Sequence, residues 1–151
     1  MNKKIFKDEE EMIAFGRLLG EKINIENPNF AEIHLVGDLG AGKTTIARSI
    51  IQSLGWEDIV RSPTYTLCEE YDLENFTIFH IDAYRSTDNI DIEIFNLDED
   101  SIKNKLIIIE WPEKLKKKRT YDILLKINHI DQGREIILND FLINNKKYKW
   151  E

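Results

Sequence analysis

The segment Gly37-Asp38-Leu39-Gly40-Ala41-Gly42-Lys43-Thr44 constrains this chain more than any other. It fills every position of the pattern G-x-x-x-x-G-K-[ST], a loop that cradles phosphates. Gly37 lets the chain leave a strand sharply, and Gly40 and Gly42 let backbone N–H groups point inward with no Cβ in the way. Those N–H groups and the start of the following helix attract phosphate oxygens. Lys43 is suited to charge on the β- and γ-phosphates, and the Thr44 hydroxyl to Mg²⁺. The binding stretch is expected to cover Asp38, Leu39, Gly40, Ala41, Gly42, Lys43, Thr44 and Thr45. An incidental glycine-rich β-α turn is the competing reading. It is disfavoured because an apolar strand precedes the motif and a helix follows it.

Around the loop, Met12, Ile13, Phe15, Leu19 and Ile23 form an apolar stripe. They predict a helix over residues 8–23 with Asp8 as its cap. Glu32–Val36 reads as a strand and Lys43–Leu54 as a helix stopped at Gly55. Thr64–Tyr71 and Phe76–Ile81 read as strands joined by a polar turn. Asp88–Leu97 can form a short helix. Leu106–Ile109 has the pattern of a strand covered on both faces. Tyr121–Ile130 and Arg134–Leu142 alternate apolar and polar residues and can close as a hairpin through Asp131-Gln132-Gly133. The expectation is an α/β chain, a three-layer α/β/α P-loop NTPase fold. Its mixed sheet should have a parallel centre and antiparallel edge strands. Residues 1–151 read as one domain, with a polar, loose tail over Asn144–Glu151.

Composition removes several alternatives. The net charge of −7 disfavours a protein that grips nucleic acid through its phosphates. The basic run Lys114–Arg119 reads as a solvated helix end before it reads as a patch for nucleic acid. Cys68, the single cysteine, has no disulfide partner in the chain and reads as a small, semi-buried apolar residue. His34, His80 and His129 have no metal-ligand spacing. No apolar run has the length of a membrane span. The N-terminus turns acidic before any apolar stretch, opposite to a secretory signal, so a cytoplasmic location is expected.

Hydrolysis needs more than a phosphate loop: a carboxylate near Mg²⁺ and a positioned water. Glu110 follows Leu106-Ile107-Ile108-Ile109 in the Walker B pattern, with glutamate where aspartate is more usual. Asp82 ends the Phe76–Ile81 strand within His80-Ile81-Asp82-Ala83-Tyr84-Arg85. By spacing alone it reads equally as a turn former and as a site carboxylate. Thr64, in Ser62-Pro63-Thr64-Tyr65-Thr66-Leu67, could reach a metal from a switch-like loop, but Ser-Pro is also ordinary turn chemistry. Arg61 and Arg85 flank these segments and read as surface or ion-pair arginines before they read as γ-phosphate ligands.

Taken in order, GDLGAGKTT, SPTYTLCEEY, HIDAYR and IIEWPEKL resemble the TsaE family (formerly YjeE) of small bacterial P-loop ATPases. The similarity runs from about residue 8 to about residue 140. The resemblance implies a role in making threonylcarbamoyladenosine in transfer RNA. It implies ATP and Mg²⁺ as ligands and a TsaB–TsaD heterodimer as partner, with hydrolysis supporting repeated turnover and no direct tRNA binding expected. Residue by residue, it implies Lys43, Asp82 and Glu110 as the catalytic set. Thr44, Thr64, Asp82 and Glu110 are implied on the metal side. Ala83 stands where leucine is common, and Ser86 where an apolar residue is common.

Three rivals remain. A small-molecule kinase would need an acceptor pocket and an arginine-bearing lid, whereas the six arginines here are scattered. A module that binds without hydrolysis has no need of both Glu110 and Asp82. A GTPase would carry N-K-x-D, and Asn104-Lys105-Leu106-Ile107 lacks the aspartate.

Overall fold

The structure, a computed structural model, describes residues 2–84 and 95–140. Its order is β1 (Asn2–Phe6), α1 (Glu9–Glu26), β2 (Phe30–Gly37), α2 (Lys43–Ser53), β3 (Cys68–Asp72), β4 (Phe76–Asp82), β5 (Asn104–Glu110), a 3-10 turn (Pro112–Lys114), β6 (Ile123–Ile130) and β7 (Gly133–Asp140). The seven strands form one sheet in the order β1-β7-β6-β2-β5-β4-β3. β6, β2, β5 and β4 are parallel neighbours. The β1–β7, β7–β6 and β3–β4 pairs are antiparallel. The parallel centre and antiparallel edges are therefore as the sequence predicts.

Alternation along β5 divides the core between the two faces. Leu106 and Ile108 join the large cluster with α1 and α2, and Ile107 and Ile109 join a smaller one with Ile81 and Leu97. Each fully buried Leu or Ile is worth about 1.5–3 kcal/mol relative to exposure, so the larger cluster dominates. Among the described residues both α-helices lie on its face. The opposite face is covered by Phe95, Leu97 and Leu115. Lys105, only 5% exposed, donates to the carbonyls of Leu97 and Glu99 and so pins that turn to the sheet.

α1 starts where Asp8 Oδ1 accepts from the Glu11 N–H (2.9 Å), which is the expected cap. It runs past residue 23 because Asn27 takes a left-handed conformation and closes the last turn on the Ile23 carbonyl. Its buried stripe packs on α2. A Cβ at Gly16 would stand 2.6 Å from Ser49 Cβ, so the two helices touch nearly backbone to backbone.

One expected strand is shorter than the sequence suggests. β3 begins at Cys68, not Thr64. Leu67 adopts a positive φ of 65° and its N–H closes a turn on the Pro63 carbonyl (2.8 Å), which stops extended pairing. β1 was not foreseen: five residues with two lysines give little signal, yet they pair along β7. The hairpin closes as expected, with Ile130 opposite Gly133. Of the expected helix Asp88–Leu97, residues 88–94 lie outside the described residues, as do Arg85, Ser86, Leu142 and the 144–151 tail. Asn96, near its end, has a non-helical φ of 52°. No described helix is long and apolar enough to cross a membrane.

Candidate functional site

Parallel pairing brings the ends of three strands to one edge. β2 ends at Gly37, β4 at Asp82 and β5 at Glu110, and Asp82 and Glu110 are direct partners in the β4–β5 register. Ligands of open α/β sheets bind beyond such carboxyl ends. A cavity of about 510 Å³ opens there. Leu39, Gly40, Gly42, Lys43, Thr44, Thr45, Thr64, Asp82, Tyr84, Glu110 and Trp111 line it. Every residue expected on the metal side is in this wall. The expected loop residues Asp38 and Ala41 stand just outside it. Ala41 lines a second cavity described below.

The phosphate loop has the backbone its motif requires. Gly42 has φ 112°, a conformation that L side chains rarely adopt. At Gly37 the constraint is proximity: a Cβ there would lie 2.6 Å from the Ile127 carbonyl oxygen on β6. α2 begins directly after the loop, with no side-chain cap and no acid in its first turn. Its N-terminal N–H groups are thus available to an anion.

Lys43 is 5% exposed. Its ammonium donates to the carbonyls of Gly37 (2.6 Å) and Asp38 (2.8 Å) and lies 4.3 Å from the centroid of the Trp111 ring. Burial pulls its pKa down, against the pull of Glu110, Glu113, Asp82 and Asp38. A cation held this way gains from added negative charge.

Thr44 Oγ1 donates to Glu110 Oε1 (2.9 Å). Glu110 Oε2 is 2.6 Å from His80 Nε2. Asp82 is held differently: its Oδ1 accepts from the Tyr84 N–H (2.9 Å). Burial raises the Asp82 pKa, and nearby Glu110 adds to that, while the Tyr84 hydrogen bond, His80 and Lys43 oppose it. A carboxyl held above its ordinary range is a better proton acceptor than a free one.

Mg²⁺ in nucleotide sites takes one or two carboxylates, a hydroxyl and phosphate oxygens rather than an all-protein cage. The wall formed by Thr44, Glu110 and Asp82 fits that donor set. No group of three or more His, Cys, Asp or Glu suited to a metal occurs among the described residues. Thr64 reaches the cavity, with its hydroxyl 2.6 Å from Ser62 Oγ. Arg61 is exposed and does not line the cavity.

Sequence reasoning gave no role to Trp111, Tyr84, His80 or Arg134. Trp111 and Tyr84 pack together at 4.8 Å, and Trp111 sits at a positive φ of 59°, a cost that recurs at functional sites. The signal was present in HIDAYR and EWPEKL, but a tryptophan after a strand has no chemistry to announce. Arg134 donates to the Ala41 carbonyl (3.2 Å) and so props the phosphate loop from the β6–β7 hairpin. It also borders the second cavity, about 410 Å³, shared by Phe6, Met12, Gly40, Gly42 and Thr45.

The basic run 114–119 begins at the end of a short 3-10 helix and not of an α-helix. A 3-10 turn leads into irregular chain. Lys114 stands over the rings of Tyr84 and Trp111. Arg119 is ion-paired to buried Glu32 and exposed Asp98. Cys68 is half-buried, and burial, with Glu70 and Glu69, pushes its thiol up to about 12. It is no nucleophile at neutral pH.

The model of the family described as threonylcarbamoyl adenosine biosynthesis protein TsaE matches residues 6–136. A protein of Haemophilus influenzae named tRNA threonylcarbamoyladenosine biosynthesis protein TsaE is 37% identical over 133 residues, covering 87% of this chain and 84% of its own length. A protein of the same name from Rickettsia felis is 35% identical over 135 residues, covering 87% and 75%. A crystal structure of Bacillus subtilis YdiB superposes with a TM-score of 0.63 at 28% identity, covering 89% of this chain and 82% of that one.

Proposed function

This chain belongs to the TsaE family, and on that premise we propose that it is a cytoplasmic, Mg²⁺-dependent ATPase of threonylcarbamoyladenosine synthesis, working with a TsaB–TsaD heterodimer. The observation that carries this reading is the Thr44–Glu110 hydrogen bond of 2.9 Å. It joins the phosphate-loop hydroxyl to the carboxylate ending β5, with Asp82 alongside in register.

In this reading the loop N–H groups and Lys43 orient the triphosphate, the ammonium turning from the Gly37 and Asp38 carbonyls to phosphate oxygens. Thr44, Glu110 and Asp82 are the residues that would hold Mg²⁺, which would supply neutralisation of the phosphate charge. The water attacks the γ-phosphorus as the bond to the ADP oxygen breaks, and its proton passes to a carboxylate, for which raised Asp82 is suited. The site residues are Lys43, Asp82 and Glu110 for chemistry, residues 38–45 for the nucleotide, and Thr64 at the metal's edge.

The second cavity takes the ribose and base. It shares Thr45 with the first cavity, and it offers apolar Phe6 and Met12. The chain has two methionines, Met1 and Met12, so a ¹³C-methyl label is easily assigned. ATP should move the Met12 methyl resonance by the ring current of the base, and inorganic tripolyphosphate should move it far less. Equal shifts with both ligands would place the base elsewhere.

The site's contents support partner dependence. The cavity walls hold phosphate and metal ligands but no grouping for a second, phosphate-accepting substrate among the described residues. The segments carrying Thr64 and Asp82 can instead report the γ-phosphate to a partner by ordering and release. Asp82→Ala should still bind ATP, yet lose at least about tenfold of heterodimer-stimulated phosphate release, near 1.4 kcal/mol in the barrier. Full stimulation in this variant would remove Asp82 from the switch.

A further inference from the structure

His80 sits in the middle of β4 at 0% exposure, between Phe79 and Ile81 and across from Ile108 in the sheet register. An apolar residue would fill such a place without loss. Instead the chain buries an imidazole there, and its Nδ1 finds no hydrogen-bond partner. Orphaned polar atoms of this kind are rare and call for a reason. The other ring nitrogen supplies one: Nε2 stands 2.6 Å from Glu110 Oε2. Nε2 must carry the proton, because the alternative sets a lone pair against a carboxylate oxygen at that distance. Glu110 is thus the ring's one hydrogen-bonded partner among the described residues.

We infer that His80 is a positioning residue for the Glu110 carboxylate. It rests on the reading of Glu110 as a metal-side carboxylate. The bond to Nε2 occupies Oε2, so the carboxylate cannot swing about its last torsion. Oε1 is left turned toward Thr44, whose hydroxyl it accepts at 2.9 Å. If that hydroxyl turned away, a single oxygen, Oε1, would be open to the cavity, already aimed. Partners of this kind orient a metal ligand without touching the metal. The β4 strand therefore supplies two residues to one site from adjacent positions of the same face pattern: Asp82 in the cavity wall and His80 behind Glu110.

The test compares ATP affinity with and without Mg²⁺ by calorimetry on the full chain, their ratio being the metal coupling. His80→Phe should reduce that coupling about tenfold while leaving metal-free ATP affinity within about twofold of wild type. His80→Gln presents an amide N–H at similar reach and should restore most of it. In a Glu110→Gln background His80→Phe should add nothing, because its effect passes through that carboxylate. If Glu110→Gln itself leaves the coupling intact, the metal-side reading of Glu110 fails. If Glu110→Gln lowers the coupling and folded His80→Phe does not, only the positioning role fails. Should His80→Phe not fold, the wild-type imidazole spectrum decides. A protected His80 Nε2–H signal that moves when Mg²⁺ is added to the ATP-bound protein supports the inference. An Nε2 that carries no proton, or a signal indifferent to Mg²⁺, overturns it.

Discussion

Lys43→Ala should weaken ATP binding by about 100-fold or more and reduce phosphate release below detection. The wild-type ammonium is nearly buried, and its partners are two backbone carbonyls and the Trp111 face. None of these neutralises it. Phosphate oxygens would, and truncating one partner of a buried, hydrogen-bonded charge pair typically costs about 2–5 kcal/mol in binding. The same partners explain why the fold should survive. The Gly37 and Asp38 carbonyls lose only a side-chain donor, and no core side chain depends on Nζ. Calorimetry with Mg²⁺ measures the binding loss, and a cooperative thermal transition checks the fold. Unchanged ATP affinity in a folded variant would mean that the loop is not the nucleotide site.

Glu110→Gln should separate binding from chemistry. Both carboxylate oxygens now accept hydrogen bonds, one from Thr44 and one from His80. An amide can accept at only one end, so with the His80 bond kept its NH₂ faces Thr44, whose hydroxyl must turn from donor to acceptor. The negative charge is lost as well. Without Mg²⁺, ATP held mainly by the loop and Lys43 should still bind within a few-fold of wild type. Turnover should fall at least about tenfold, near 1.4 kcal/mol in the barrier, and by more if the amide also misplaces Thr44. Single-turnover phosphate release with binding measured in parallel gives both numbers. A wild-type rate would show that Glu110 is an ordinary acid at the end of a buried strand.

The phosphate loop and the β5 carboxylate were legible because their chemistry is written locally. Glycines sit where the backbone must approach phosphate, and four apolar residues precede one acid. Asp82 was undecidable from its own neighbourhood. What places it is the pairing of Asp82 with Glu110 across two strands, a contact between residues far apart in sequence. The family resemblance, carried by the same motifs, is what implies Asp82 in the catalytic set. His80 was hidden for a similar reason: a histidine in an apolar strand reads as core until its partner on β5 is seen. The over-long β3 had a different cause. Thr64–Leu67 has strand-like composition, but Leu67 at φ 65° turns the chain to bring Thr64 to the cavity. β1 and the Arg134 prop depend on the edge of the sheet folding back to the loop, which no local pattern announces.

The central claim is that this nucleotide site serves a partner rather than a substrate of its own. Steady-state phosphate release by the wild-type chain, with and without the TsaB–TsaD heterodimer, tests it most directly. Slow release alone, rising severalfold when the heterodimer is added, is the expected result. A fast rate indifferent to the heterodimer, with the γ-phosphate appearing on a small acceptor, would contradict the account and identify the chain as a kinase.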